Sequence, residues 1–320
     1  RIIRNISYNP INESNTFTSG DSVSGQVELE VAKECEVQSL SIKFKGKAEV
    51  LWTERHGQTT VVYHAKDKYF SVKHHFIEDK DKTVLPPGRH NFPFTFQFPV
   101  QHTPSSFHAV TGKIVYLLEA KLSRSMRIPT KDTEKLNYVT QDTMDHNPEL
   151  KAPQHESKDK KLKLLNSGTV SMDVDIEKAG FYQGEQGTVM HPIANNSSRE
   201  IRPKFCLYSK HSFFARGKRR LHTKDLVKEV GAPIPPSSSQ KVTQLINIPH
   251  DMEPSIHNCK ILKVEHRLRV SFISAHLTIV LRSIRVLFRK PKLNSLGGTH
   301  NVMCGGKMEQ HTNIKTLSSL

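Results

Sequence analysis

The sequence predicts an all-β protein built as two tandem antiparallel β-sandwiches joined by a short hinge. Three observations carry this: side-chain polarity that alternates with period two, turn-forming clusters at short intervals, and one set of landmarks that occurs twice. A half-buried strand sends successive side chains to opposite faces, so its apolar residues fall at every second position. No stretch keeps helical spacing for four turns. Strands broken by frequent turns, without helices between them, indicate sandwiches rather than a βαβ fold.

Taken in order, Phe17–Asp21 (FTSGD) places a glycine and an acid where the chain turns into a strand. Leu40, Ile42 and Phe44 then alternate with polar residues. Glu78–Lys82 (EDKDK) alternates in sign and reads as a solvated loop. After the turn at Pro86–Arg89 (PPGR), the alternation resumes with Phe92, Phe94, Phe96 and Phe98. Lys113–Ser123 is the clearest strand, with Ile114, Tyr116, Leu118, Ala120 and Leu122 on one side. Turns recur at Asn195–Ser198 (NNSS) and Pro236–Ser239 (PSSS). His211–Arg220 (HSFFARGKRR) reads as a strand entering a hairpin turn at Gly217, with Phe213 and Phe214 facing opposite ways. Arg267 and Arg269 share a face opposite Leu268 and Val270.

The repeat sets the domain plan. FTSGD recurs as FYQGE (Phe181–Glu185), Pro86–Pro87 as Pro235–Pro236, and Pro99 as Pro249. At an offset of 150, Tyr116, Leu118, Ala120 and Leu122 fall on His266, Leu268, Val270 and Phe272, so the inward face is mostly kept. The division expected is a first sandwich over 1–145, a linker over 146–163, a second sandwich over 164–292 and a disordered tail over 293–320. The seam at Asp145–Lys163 is charged, contains proline and is poor in apolar residues.

Composition narrows the class. The 320 residues hold 47 Lys and Arg against 31 Asp and Glu, a net charge of +16 that favours acidic partners. Cys35, Cys206, Cys259 and Cys304 are dispersed with no CxxC pair, which fits a reducing compartment and neither a zinc cluster nor a disulfide framework. Apolar runs such as Leu277–Leu281 end at charges after a few residues, whereas a helical membrane span needs about 20. Catalytic patterns are missing. The sequence has no HExxH, GxSxG or GxGxxG motif and no P-loop, so neither an enzyme, a metal nor a cofactor is expected. His74 and His75 point to opposite faces if they lie in a strand, and the histidines in general are expected on exposed loops and strands. Cys206, within Lys204–Tyr208 (KFCLY), reads as a small apolar strand residue rather than a nucleophile.

The ordered landmarks FTSGDSVSGQVELEV, LSIKFKGKAEVLWTE, LPPGRHNFPFTFQFP and FHAVTGKIVYLLEAKL, followed by GFYQGE, HSFFARGK and IPHDMEPSIHNCKILKVEHRL, resemble the α-arrestins, also called arrestin domain-containing proteins. The resemblance runs from about Asn5 to Val270. It implies arrestin-like sandwiches in a non-catalytic trafficking adaptor, cytoplasmic and peripheral to plasma membrane and endosomes. Such an adaptor couples membrane receptors, or their phosphorylated tails, to endocytic machinery and ubiquitin ligases. Two departures stand out. There is no PPxY motif to dock on WW domains, so the ligase partner is implied only with a PPxY tail from outside this sequence. His276–Pro291 (HLTIVLRSIRVLFRKP) does not resemble the family's closing strands.

Basic residues concentrate in two stretches. Arg199–Lys224 holds Arg199, Arg202, Lys204, Lys210, Arg216, Lys218, Arg219, Arg220 and Lys224 against Glu200 alone. Lys260–Lys292 holds nine more basic residues, including Arg267 and Arg269, against Glu265. The candidate site for cargo or an anionic membrane surface is therefore Arg199, Arg202, Lys204, Lys210, Arg216, Lys218, Arg219, Arg220, Arg267 and Arg269, with a merely solvated basic face as the alternative. A basic nucleic-acid-binding protein is the second functional class. Against specific nucleic-acid binding, aromatics make up only 7% of the chain and do not interleave the basic residues.

Overall fold

The computed structural model describes residues 3–78, 83–140, 148–161, 168–274 and 277–289. Two β-sandwiches follow one another along the chain. In the first, β1 (Ile3–Tyr8), β3 (Ser22–Val31) and β7 (Gly88–Gln97) form one sheet in the order β1-β3-β7. The facing sheet has the order β2-β10-β9-β4-β5, from β2 (Thr16–Phe17), β10 (Arg127–Tyr138), β9 (Gly112–Arg124), β4 (Cys35–His56) and β5 (Thr59–Ile77). Two short strands join this path: β6 (Thr83–Leu85) pairs with β4, and β8 (Phe107–His108) with β9.

The second sandwich repeats the plan. Its four-stranded sheet is β11 (Gln154–Lys161), β12 (Gly168–Ile176), β14 (Gln186–Ser197) and β17 (Ser238–Asn247). The five-stranded partner has the order β13-β19-β18-β15-β16, from β13 (Gly180–Tyr182), β19 (Leu277–Arg289), β18 (Leu262–Ser274), β15 (Arg202–Ala215) and β16 (Lys218–Val230).

The internal repeat is visible in backbone detail. Gly20 and Gly184 turn the chain at φ +84° and +82°, a conformation open to glycine. The acid that follows each one caps the same turn: Asp21 Oδ2 accepts from the Thr18 N–H at 2.7 Å, and Glu185 Oε2 from the Tyr182 N–H at 2.6 Å. Phe17 then pairs in parallel with Tyr138, as Phe181 does with Phe288. Each closing strand is held at one serine. The Tyr138 N–H donates to Ser106 Oγ and the Phe288 N–H to Ser255 Oγ, both at 3.0 Å. The inward faces of β9 and β18 match as the offset predicts, Tyr116, Leu118, Ala120 and Leu122 against His266, Leu268, Val270 and Phe272, all buried.

The structure departs from the sequence expectation in three places. Gln154–Lys161, inside the expected linker, form strand β11 at one end of the four-stranded sheet, and its charged sequence is one that sheet edges commonly carry. Leu277–Arg289, expected inside the second sandwich but unlike the family's closing strands, pairs antiparallel with β18 as a closing strand, with a register shift between Val270 and Ser271. Two histidines expected at the surface are interior: His191 and His266 are 0% and 1% exposed. The loop at 79–82 and the expected tail over 293–320 lie outside the described residues.

The sandwiches share a core. Phe213, Ala215, Ile256, Cys259, Leu262 and Val264 of the second pack into the apolar cluster of the first. Gly112 makes room for this. A Cβ there would stand 2.8 Å from the Phe213 ring and 2.9 Å from Val50. Polar contacts flank the seam: Thr111 Oγ1 lies 3.1 Å from His222 Nε2, the Asn258 amide donates to the His102 carbonyl at 2.9 Å, and the Tyr69 hydroxyl donates to Cys259 Sγ at 3.2 Å.

Candidate functional site

In each sandwich the larger sheet buries one face and turns the other outward, and both outward faces are basic. In the second sandwich, Phe205 and Leu207 of β15 and Leu268, Val270 and Phe272 of β18 point into the core. The alternate positions point out. Register places Lys204 beside Ser271, Cys206 beside Arg269, Tyr208 beside Arg267, Lys210 beside Glu265 and Ser212 beside Lys263. Five of the candidate residues therefore share this face, since Arg219, paired with Phe214 on β16, joins Lys204, Lys210, Arg267 and Arg269.

Their charges are held in place rather than left loose. The Arg269 guanidinium lies over the Tyr208 ring, 4.4 Å from its centroid. Arg219 donates to Ser212 Oγ through Nη2 at 2.9 Å and Nε at 3.2 Å, and also lies over Phe214. Glu265 takes Lys210 at 3.5 Å and Arg267 at 3.4 Å, which neutralises part of the patch. Cys206 sits among these groups as a thiol: burial pushes its pKa up, and the neighbouring Asp225 adds to the shift. Asp225 itself is held below its ordinary value by its hydrogen bond to Lys228.

The other candidates lie elsewhere. Arg216 and Lys218 are at the β15–β16 turn, where Arg216 and Gly217 have φ of +49° and +70°, as a two-residue hairpin turn requires. Arg220 is the register partner of Phe213, on the opposite side of β16 from Arg219. Arg202 opens β15 and pairs with Glu200 at 3.4 Å, and Arg199 lies in the connection before it. From Arg202 to Ala215 the strand extends about 43 Å at about 3.3 Å per residue. The stretch Arg199–Lys224 is thus a margin, a central strip and a tip, not one patch.

A second basic face, on the first sandwich, escaped the count along the sequence. On β4, Lys43, Lys45, Lys47 and Glu49 alternate with the buried Ile42, Phe44 and Ala48. Beside them lie Lys113, Glu119 and Lys121 of β9, then Lys66, Lys68 and Lys73 of β5, then Lys131 and Lys135 of β10. Ten lysines thus share a face with two acids, both already engaged. Glu119 Oε2 lies 2.7 Å from Lys45 Nζ, and this hydrogen bond lowers the Glu119 pKa. Glu49 faces Lys47 at 3.0 Å, Lys66 at 3.3 Å, Lys113 at 4.0 Å and His64 at 3.0 Å. Partial burial pushes the Glu49 carboxyl up, but hydrogen bonds from His64, Lys47 and Lys66 outweigh it and hold the group at about 2. The signal available in the sequence was the i, i+2 lysine spacing of IKFKGKAE, which in a strand puts every lysine on one side.

No three His, Cys, Asp or Glu side chains converge on a metal-sized site among the described residues, and no described helix is long and apolar enough to cross a membrane. What the two faces provide is spaced positive charge on a rigid sheet, suited to carboxylates and phosphates.

Comparison with known proteins agrees with this architecture. The family model for the arrestin (or S-antigen) N-terminal domain matches residues 5–147, and that for the C-terminal domain matches residues 166–289. Arrestin domain-containing protein 4 of Mus musculus is 28% identical over 266 residues, covering 79% of this chain and 64% of that protein. Thioredoxin-interacting protein is 28% identical over 261 residues in Mus musculus and over 260 in Homo sapiens, covering 79% of this chain in both cases and 65% and 66% of those proteins. The chain spans slightly less than two thirds of the length of these curated relatives. With both of its sandwiches matched in order, the chain belongs to the arrestin family.

Proposed function

We propose that the protein is a non-catalytic trafficking adaptor whose basic sheet faces hold acidic or phosphorylated tails of membrane receptors. It works in the cytoplasm, at the surface of the plasma membrane and endosomes, and brings its cargo to the endocytic machinery. The observation that carries this reading is the pair of outward faces, one lysine-covered and one with arginines held by rings and a serine. A phosphoryl group brings close to two negative charges and three acceptor oxygens, which a fixed guanidinium meets in bidentate fashion. The sequence contains no PPxY motif, so recruitment of ubiquitin ligases requires such a motif outside it.

Retention of receptor-tail peptides by the full chain, with and without phosphorylation and at physiological salt, tests the reading. Changing Lys43, Lys45 and Lys47 together to Glu, or Arg267 and Arg269 together to Glu, should reduce retention by at least tenfold. Equal retention by parent and both variants would overturn it. Nucleic-acid binding is the weaker reading, because Tyr208 and Phe214 lie beneath Arg269 and Arg219 and are not free to stack on bases.

A further inference from the structure

The hairpin joining β9 to β10 ends in a tip that folding does not explain. Met126 and Ile128 are 102% and 91% exposed, although Leu122 on the same hairpin is fully buried. Met126 is the second residue of the two-residue turn between Arg124 and Arg127 and has φ +54°, a turn conformation that glycine or asparagine fits with less strain than methionine. The turn calls for that backbone conformation but not for an apolar side chain, and exposing Met126 and Ile128 does not help the chain fold in water. The choice of these side chains is accounted for if they have work outside the fold.

The surroundings indicate what that work is. Arg124 and Arg127 are register partners at the neck of the hairpin, and Lys121 and Lys131 are partners further along it. Val84 of β6, 53% exposed, lies at the same end of the sheet, because β6 and β9 both pair with β4 at Val37. Three strand spacings, about 14 Å, separate β6 from β10. Of the acids at this end, Glu34 lies in the neighbouring turn beside Lys33 and Glu36 of β4 is the register partner of Val84; with Lys121, Arg124, Arg127 and Lys131 the end stays basic. Two apolar side chains at the end of a projecting hairpin offer little area for a stable protein interface, which takes about 800 Å² from each partner. They are sufficient for shallow insertion into a bilayer with cations held at the headgroups, the arrangement of interfacial anchors.

We propose that the β9–β10 tip is a membrane-docking element: Met126 and Ile128 enter the acyl boundary of an anionic bilayer while Arg124 and Arg127 stay among its headgroups. This does not depend on tail capture by the sheet faces, and the two are measured separately.

The test is co-sedimentation of the full chain with phosphatidylcholine vesicles, with and without phosphatidylserine. The paired variant Met126→Gly and Ile128→Thr suits the local backbone, since glycine favours φ +54° and threonine favours strands. It should bind vesicles containing phosphatidylserine on the order of tenfold more weakly or less, at unchanged net charge. Arg124→Gln with Arg127→Gln should reduce the preference for phosphatidylserine. Met126→Trp places a fluorophore at the tip, and brominated lipid should quench it. Parent-like binding by the Met126→Gly, Ile128→Thr variant, an unquenched tip, or no vesicle binding by the parent chain would each overturn the proposal.

Discussion

Lowering the pH from 7.5 to 5.5 should destabilise the second sandwich through two histidines. Burial lowers the pKa of His266 to about 3, helped by the nearby His211 and His257. Burial likewise lowers that of His191 to about 4, against the pull of the Asp173 backbone and the Asp175 carboxylate. In the unfolded chain both return to about 6.5, so between these limits the unfolded state binds more protons than the folded one. Stability is therefore full above 6.5 and declines as the pH falls through it. At pH 5.5 each histidine costs about 1 kcal/mol, and the pair about 2 to 3 kcal/mol. This requires only that the folded-state values lie well below 5.5. Glu49, Glu119 and Asp225 do not contribute in this window, because their lowered pKa values preserve their contribution until the pH falls below the ordinary carboxylate range. Urea unfolding of the full chain, followed by circular dichroism at the two pH values, gives the difference directly. Replacing both histidines by Phe should abolish most of it, and any constant packing change cancels between the two pH values. A pH difference as large in the double variant as in the parent would refute the argument.

Three further outcomes follow from the packing and the charges. Gly112→Val should lower stability by about 1–3 kcal/mol by driving a side chain into the Phe213 ring and Val50, measured as a lower Tm; an unchanged Tm would count against the shared core. Asp21→Ala and Glu185→Ala remove equivalent turn caps and should each cost about 1–2 kcal/mol in urea titrations. Glu49→Gln deletes the charge that faces three lysines and His64, and should raise affinity for an acidic tail by roughly fivefold, about 1 kcal/mol, in calorimetry at low salt.

The fold was legible in the sequence because each sandwich covers one face of its sheets and leaves the other wet. That asymmetry writes itself as alternation, as in Lys113–Ser123, and the Gly-acid turns at Gly20 and Gly184 mark the same place in both halves. Leu277–Arg289 was harder, because its pairing with β18 carries a register shift, and a sequence read at period two has no way to place such a shift. The charged strand β11 read as a linker because a sheet margin and a hinge are both polar. The site was less legible for a geometric reason. Basic residues dense in sequence, as in Arg199–Lys224, spread along an extended strand and onto both of its sides. The lysines of β4, β5, β9 and β10 are distant in sequence and become neighbours only through register. His266 shows the same limit from inside: one polar residue among the inward-facing positions Val264, Leu268 and Val270 is covered by Phe288 and Ser255, which arrive from other parts of the chain.

The fusion of the two interiors bears on any attempt to map binding by dissection. Severing the chain between residues 140 and 168 would leave Phe213, Leu262 and Val264 without their covering on one fragment and strip the opposing wall from the other. Each half would then display a greasy scar with no counterpart in the whole molecule, and what stuck to it would report the cut. Charge substitutions made within the intact chain avoid that artefact.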